Sequence, residues 1–204
     1  MKIQGLLVPM LAASVLLGAC KKDPPPPPAP TGPTAAELAQ IRQDSIDAAR
    51  QAQEARQRAE DEAERRAEAA RQGQIREARS TIEDMVFFDY DMAEITPAAE
   101  RILRAKLPIL RSSPSLRIRM EGHADERGSN EYNVALGSGR ADAVQQWLTD
   151  SGIAASRFTT TSFGEDRPLV NRSDEEAWAR NRRVMFVITG GNIVVSDDKD
   201  RDRP

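Results

Sequence analysis

Cysteine and histidine are almost missing from this chain: Cys20 and His123 are the only ones in 204 residues. One cysteine excludes an intrachain disulfide, and one histidine excludes a multi-histidine metal site. There is no basic surplus either. Lys and Arg number 29 against 32 Asp and Glu, for a formal net charge of −3. That balance sets nucleic acid aside as a partner. The longest apolar stretch, residues 6–17, is broken by Pro9 and Ser14 and is shorter than the roughly 20 residues a membrane-spanning helix needs. Aromatic residues make up only 4% and are concentrated after position 85, together with Trp147 and Trp178. A packed core is therefore expected in the C-terminal half alone.

What the first half does contain is ordered by composition. Residues 1–19 open on Met1-Lys2, continue through the apolar stretch and end on Gly18-Ala19, the pattern of a secretory signal peptide. Leu17-Gly-Ala-Cys20 resembles the bacterial lipobox, whose cysteine is acylated and becomes the new N-terminus. Cys20 is thus the expected lipidation site, and several buried acyl chains give stable anchoring without a spanning helix. Lys21 in place of aspartate implies onward sorting to the outer membrane. Residues 20–33 form a lipidated, proline-rich linker, with seven prolines between positions 24 and 33 favouring an extended polyproline path. Residues 34–80 are Ala, Glu, Arg and Gln almost throughout, which predicts a helical spacer. Glu54 with Arg58, Asp61 with Arg65 and Glu62 with Arg66 stand at i,i+4 in the favourable acid-first order. Its alanine stripe from Ala48 to Ala70 permits a weak coiled coil but lacks large apolar residues, so a solvated helix is the favoured reading.

From about residue 81 to 190 strands and helices alternate, the pattern of an α/β (α+β) sandwich with helices packed on a mixed sheet. Strands are expected at 85–88, 115–121, 158–163 and 184–188. Thr96-Pro97 opens one helix as N-cap and first residue, with Ile102, Leu103, Leu107 and Leu110 facing inward. A longer helix covers 129–150, and Ser173-Asp-Glu-Glu176 reads as the capping box of a third. Residues 191–204 are expected to be a disordered tail.

Within the helix at 129–150, Leu136, Ala143, Val144 and Trp147 define an apolar stripe at about 100° per residue, and Arg140 falls near its centre. A guanidinium there needs an anionic partner, since an unpaired buried charge costs several kcal/mol. Asp125, in the glycine-flanked stretch Gly122-His-Ala-Asp-Glu-Arg-Gly128, is the best candidate. Two readings stay open: an internal salt bridge that fixes the loop, or a receptor for a ligand carrying both an ammonium and a carboxylate. Gly139, one residue before the arginine, costs about 1 kcal/mol of helix propensity relative to alanine.

Glu121-Gly-His-Ala-Asp-Glu-Arg-Gly128, Glu131-Tyr-Asn133, Leu136-Gly137, Arg140-Ala141 and Asn181-Arg-Arg-Val184 together resemble the OmpA-like peptidoglycan-binding domain, as carried by lipoproteins of the cell envelope. The resemblance covers about residues 84–189 and implies a βαβαβ-type domain. It further implies that Asp125 and Arg140 bind the amino and carboxylate groups of diaminopimelate in the peptidoglycan stem, with Tyr90, Asp91 and Leu136 lining the pocket. No cofactor or metal is implied. The implied partners are peptidoglycan, the outer-membrane bilayer through acylated Cys20, and proteins of the Tol system, TolB above all. An enzyme using His123, Asp125 and Glu126 as acid–base groups is the chief rival from another class. His123 is expected instead to be a loop residue bonded to the backbone. A flagellar stator subunit would need a spanning helix with an ionisable residue, and a scaffold acting through the long helix is the remaining alternative.

Overall fold

The computed structural model describes residues 32–195. The expected leader at 1–19, the lipidation site Cys20, most of the proline-rich linker and the tail beyond 195 lie outside the described residues. The chain divides into two units, with the division between Ala55 and Arg56.

In the first unit Thr34 and Glu37 form a capping box at the start of the long helix α1 (Ala35–Glu83). The Glu37 carboxylate accepts from the Thr34 N–H at 2.6 Å, and the Thr34 hydroxyl accepts from the Glu37 N–H at 3.3 Å. Leu38, Ile41 and Ile46 of this stretch are exposed.

In the second unit α1 continues past the expected boundary at residue 80. Ala78 and Ile82 are buried, and Ile82 joins the core cluster, so the end of the spacer is a structural part of the domain. Of the acid–base pairs expected on this helix, Glu62 and Arg66 meet at 2.5 Å on the exposed surface. Then come β1 (Val86–Phe87), α2 (Pro97–Ser112), β2 (Arg117–His123), α3 (Asn130–Asp150), a 3-10 turn at Ala155–Arg157, β3 (Phe158–Gly164), α4 (Glu175–Asn181) and β4 (Arg183–Gly190). The strands form one mixed sheet in the order β1-β4-β2-β3. β2 runs parallel to β3 and antiparallel to β4, which in turn pairs antiparallel with β1.

The core lies between one sheet face and the helices. Ile118 and Met120 of β2, Val184 and Phe186 of β4, Leu103 and Leu110 of α2, and Val144 and Leu148 of α3 are all buried in one cluster. Each such aliphatic side chain stabilises the fold by about 1.5–3 kcal/mol through burial. The buried stripe of α3 is Asn133, Gly137, Arg140, Ala141, Val144 and Leu148, rotated from the expected stripe; Leu136, Ala143 and Trp147 sit at its rim. The rotation has a steric cause. A Cβ on Gly122 would stand 1.9 Å from the Gly137 carbonyl oxygen, and one on Gly137 would stand 2.3 Å from the Ser162 hydroxyl. Helix and sheet backbones touch there, and only glycine on both sides permits it.

Smaller corrections concern the ends of elements. The α4 cap is Asp174, whose carboxylate accepts from Ala177 N–H at 2.9 Å, rather than Ser173. The tail expected to be disordered from 191 is fastened as far as 194. The Val194 N–H donates to the Ser113 hydroxyl at 2.9 Å, the Ser112 hydroxyl donates to the Val194 carbonyl at 3.1 Å, and Ile193 packs on the core.

Two glycines, one on β2 and one on α3, give a paired prediction. Gly122→Ala should lower stability by roughly 3 kcal/mol, because backbone cannot yield as a side chain can. Gly139→Ala should raise it by about 1 kcal/mol, since its Cβ would meet only the Ala93 methyl at 3.7 Å. Chemical denaturation of both variants checks the opposite signs.

Candidate functional site

Three chain segments meet at the ends of β1 and β2. The loop after β1 carries Tyr90 and Asp91, the loop after β2 carries Asp125, Arg127 and Gly128, and the first turns of α3 carry Tyr132, Asn133, Leu136 and Arg140. These nine residues line one cleft of about 110 Å³. All five residues expected from the sequence, Asp125, Arg140, Tyr90, Asp91 and Leu136, are therefore brought together. Drug-sized ligands need roughly 300–1,000 Å³, so this cleft admits the tip of a ligand.

Local sequence explains each placement. Ser129 caps α3 by accepting the Tyr132 N–H at 3.2 Å, and Tyr132, Leu136 and Arg140 then recur every fourth residue along one helical face. Gly128 turns the chain into that cap with φ 113°. Asp91 takes a left-handed φ of 58°, uncommon for a residue with a side chain, and its carboxylate accepts the Tyr132 hydroxyl at 2.5 Å. Such strain concentrates at functional sites.

Arg140 is fully buried, yet its partners are not carboxylates. Nε donates to the Met92 carbonyl at 2.8 Å, Nη1 to the His123 carbonyl at 2.8 Å and Nη2 to the Asp89 carbonyl at 3.1 Å. Of the two readings left open, the internal salt bridge with Asp125 is not formed: the two residues line the same cleft without bonding each other. Burial first, then the charge of Arg182, lowers the Arg140 guanidinium to about 10, against the pull of Asp125 and Asp91. It remains charged at neutral pH. A guanidinium has five N–H donors, and three are used, which leaves one on each terminal nitrogen.

Asp125 is held by two arginines whose part was not foreseen. Arg127 meets it through Nε at 3.0 Å and Nη2 at 2.7 Å, and Arg182 through Nη1 at 3.3 Å. Burial alone would raise the Asp125 carboxyl, but the hydrogen bonds from Arg127 and then Arg182 outweigh it and hold the group below its ordinary value. Arg127 in turn lies 3.9 Å from the Tyr90 ring centre and 4.2 Å from that of Trp178. The sequence signal for this fork was the spacing of two between Asp125 and Arg127 on a tight loop; the approach of Trp178 and Arg182 from the far end of the chain left none.

The candidate acid–base group does not assemble. Glu126 faces away from the cleft, accepts the Trp178 indole N–H at 3.0 Å and lines a separate cavity with Glu165 and Asp166. His123 ends β2 instead of lying in a loop, and its ring stacks on Phe163 with centroids 5.6 Å apart. Neither ring nitrogen has a hydrogen-bond partner among the described residues. This corrects the expected backbone bond. Among the described residues no group of side chains could hold a metal ion, and no helix is long and apolar enough to cross a membrane.

With this geometry in place, the chain can be compared with known proteins. Residues 87–182 match the OmpA family. A peptidoglycan-associated lipoprotein of Mesorhizobium japonicum is 38% identical over 122 residues, covering 60% of this chain and 73% of its own length. The chain belongs to the OmpA family, among the peptidoglycan-associated lipoproteins. A homologue from Agrobacterium fabrum is 40% identical over 110 residues, 54% of this chain and 62% of that protein. The match thus spans less than two thirds of that relative. The crystal structure of the peptidoglycan-associated lipoprotein from Burkholderia pseudomallei aligns with a TM-score of 0.50 at 36% identity, over 51% of this chain and 88% of that one. The residues matched to the family, 87–182, include every residue that lines the cleft.

Burial of His123 sets a pH dependence. Burial first, then the charges of Arg183 and Arg167, lowers its pKa to about 4 from an ordinary 6.5. The folded state therefore keeps the ring neutral where the unfolded chain already binds a proton. Stability is fully present above pH 6.5 and is lost as pH falls toward 4, by on the order of 3 kcal/mol. Denaturation midpoints across that window should slope in the native protein and flatten in His123→Phe.

Proposed function

We propose that this domain is a non-enzymatic anchor that holds peptidoglycan by the diaminopimelate of the peptide stem. Acylated Cys20 would fix the chain to the outer membrane, making it a periplasm-facing tether between membrane and wall. In this reading the periplasmic Tol proteins, TolB first, are its protein partners. The observation that carries the proposal is the buried Arg140, charged, one wall of a small cleft, and holding two N–H groups beyond those that serve the backbone. The free end of diaminopimelate carries a carboxylate and an ammonium on one carbon. The carboxylate suits the paired terminal nitrogens of the guanidinium, and the ammonium suits the acidic side of the cleft at Asp125 and Asp91. The family relationship supports the same reading, because the matched relatives are named for their association with peptidoglycan.

The two stem chemistries provide a test that leaves the protein unchanged. A lysine side chain ends in an ammonium without the carboxylate, so it leaves Arg140 unpaired. Calorimetric titration of the whole chain should show saturable binding of a diaminopimelate-containing stem peptide and at least tenfold weaker binding of the lysine counterpart, about 1.4 kcal/mol. Arg140→Lys, which keeps the charge and loses the fork, should narrow that difference. Equal affinity for both peptides would sink the proposal. For the anchor, Cys20→Ser should move the protein from the membrane fraction to the soluble fraction of the cell envelope; an unchanged distribution would remove Cys20 from the account.

A further inference from the structure

Four donors converge on the Asp125 carboxylate. Oδ1 accepts from the Arg127 backbone N–H at 3.1 Å and from its Nε at 3.0 Å, while Oδ2 accepts from Arg127 Nη2 at 2.7 Å and Arg182 Nη1 at 3.3 Å. A carboxylate offers about four lone-pair positions. Asp125 is therefore full, and a ligand ammonium can reach it only by replacing a donor.

The donors differ in how easily they leave. The Arg127 backbone N–H is part of the loop. The Arg182 side chain is 7% exposed and is also tied to the Phe88 carbonyl at 3.0 Å and to Glu175 at 2.9 Å. The Arg127 side chain is 29% exposed, and its Nη1 already stands 3.6 Å from the second oxygen of Glu175. Its guanidinium lies against the faces of Tyr90 and Trp178, contacts that do not fix its position within the plane as hydrogen bonds do. A second carboxylate thus waits beside the guanidinium, along a path with aromatic walls.

Building on the proposed diaminopimelate site, we propose that Arg127 is its specificity-determining residue: it occupies Asp125 until a ligand ammonium displaces it onto Glu175. A ligand with no ammonium cannot replace Arg127 at Asp125. One with an ammonium but no carboxylate displaces it and still leaves Arg140 unanswered. Only a ligand bearing both groups satisfies Asp125 and Arg140 together, and the displaced guanidinium keeps an anionic partner throughout. Selectivity then rests on an internal competitor as well as on the groups that touch the ligand.

The test uses the full chain and meso-diaminopimelate as probe. Arg127→Met keeps the apolar stem against the rings and removes the competing donors. If the free carboxylate is exposed in about one molecule in ten, this variant should bind about tenfold more tightly than the native protein. Glu175→Gln keeps an acceptor for Arg182 but removes the receiving charge, and should bind severalfold more weakly; in the double variant that loss should vanish, because Glu175 acts through Arg127. In a Trp147→Phe background, the fluorescence of Trp178 should change on binding when Arg127 is present. Native binding with an Arg127→Met affinity equal or weaker would overturn the latch and leave the diaminopimelate site standing. Binding by neither protein would overturn both. If Arg127→Met does not fold, Glu175→Gln decides: unchanged affinity refutes the latch, and weakened affinity supports it.

Discussion

Buried cations that bond backbone carbonyls organise this domain. Arg140 gathers the carbonyls of Asp89, Met92 and His123, and so fixes the two loops that flank the cleft. Arg157 does the same for Leu110, Ser113 and Leu116 between α2 and β2, with all three bonds between 2.8 and 3.0 Å. Lys106, fully buried, donates to Thr81, Ile82 and Asp84, where the end of α1 leaves carbonyls without helical partners. Arg182 joins the Phe88 carbonyl to Asp125. Loops that bury backbone must satisfy its oxygens. Here each task falls to a long cationic side chain; Arg140, Arg157 and Lys106 bond to carbonyl oxygens, whereas Arg182 also pairs with the Asp125 and Glu175 carboxylates.

That choice has a consequence for the cleft. Had Arg140 been paired with Asp125, its charge would have been spent inside the fold and an incoming carboxylate would have had to break a buried ion pair, a costly exchange. Carbonyl partners leave the guanidinium cationic and positioned, with donors to spare. Asp125 stands in the opposite condition, with every lone pair taken by arginine. Arg140 keeps donors to spare while Asp125 has none of its lone pairs free, and the proposed displacement of Arg127 rests on this asymmetry.

The long helix and the domain are also less separate than composition suggests. The stretch rich in Ala, Glu and Arg reads as a spacer that should end near residue 80, and its exposed, charged surface fits that role. Its last turn nevertheless buries Ala78 and Ile82 and is held by Lys106, whose ammonium lies 4.3 Å from the centre of the Phe186 ring. The end of the helix is thus packed into the core, and the segment at 192–194 closes against the neighbouring end of α2.

Periodicity alone determined the order of strands and helices after residue 85, the cap at Thr96, and the placing of Arg140 on a face that had to be buried, since apolar spacing and capping chemistry are local properties of the chain. The residues around Asp125 were legible as a group because three of the positions that matter share one glycine-flanked loop and three more, Tyr132, Leu136 and Arg140, recur every four residues on one helix. Partner choice was not legible. Whether Arg140 meets a carboxylate or three carbonyls, whether α3 turns Gly137 or Leu136 to the sheet, and whether Lys106 faces water or the end of α1 all depend on distances between segments far apart in sequence. Only the packed structure sets those distances, because close approach at Gly122 and Gly137 fixes the rotation of α3 and, with it, which donors reach which oxygens.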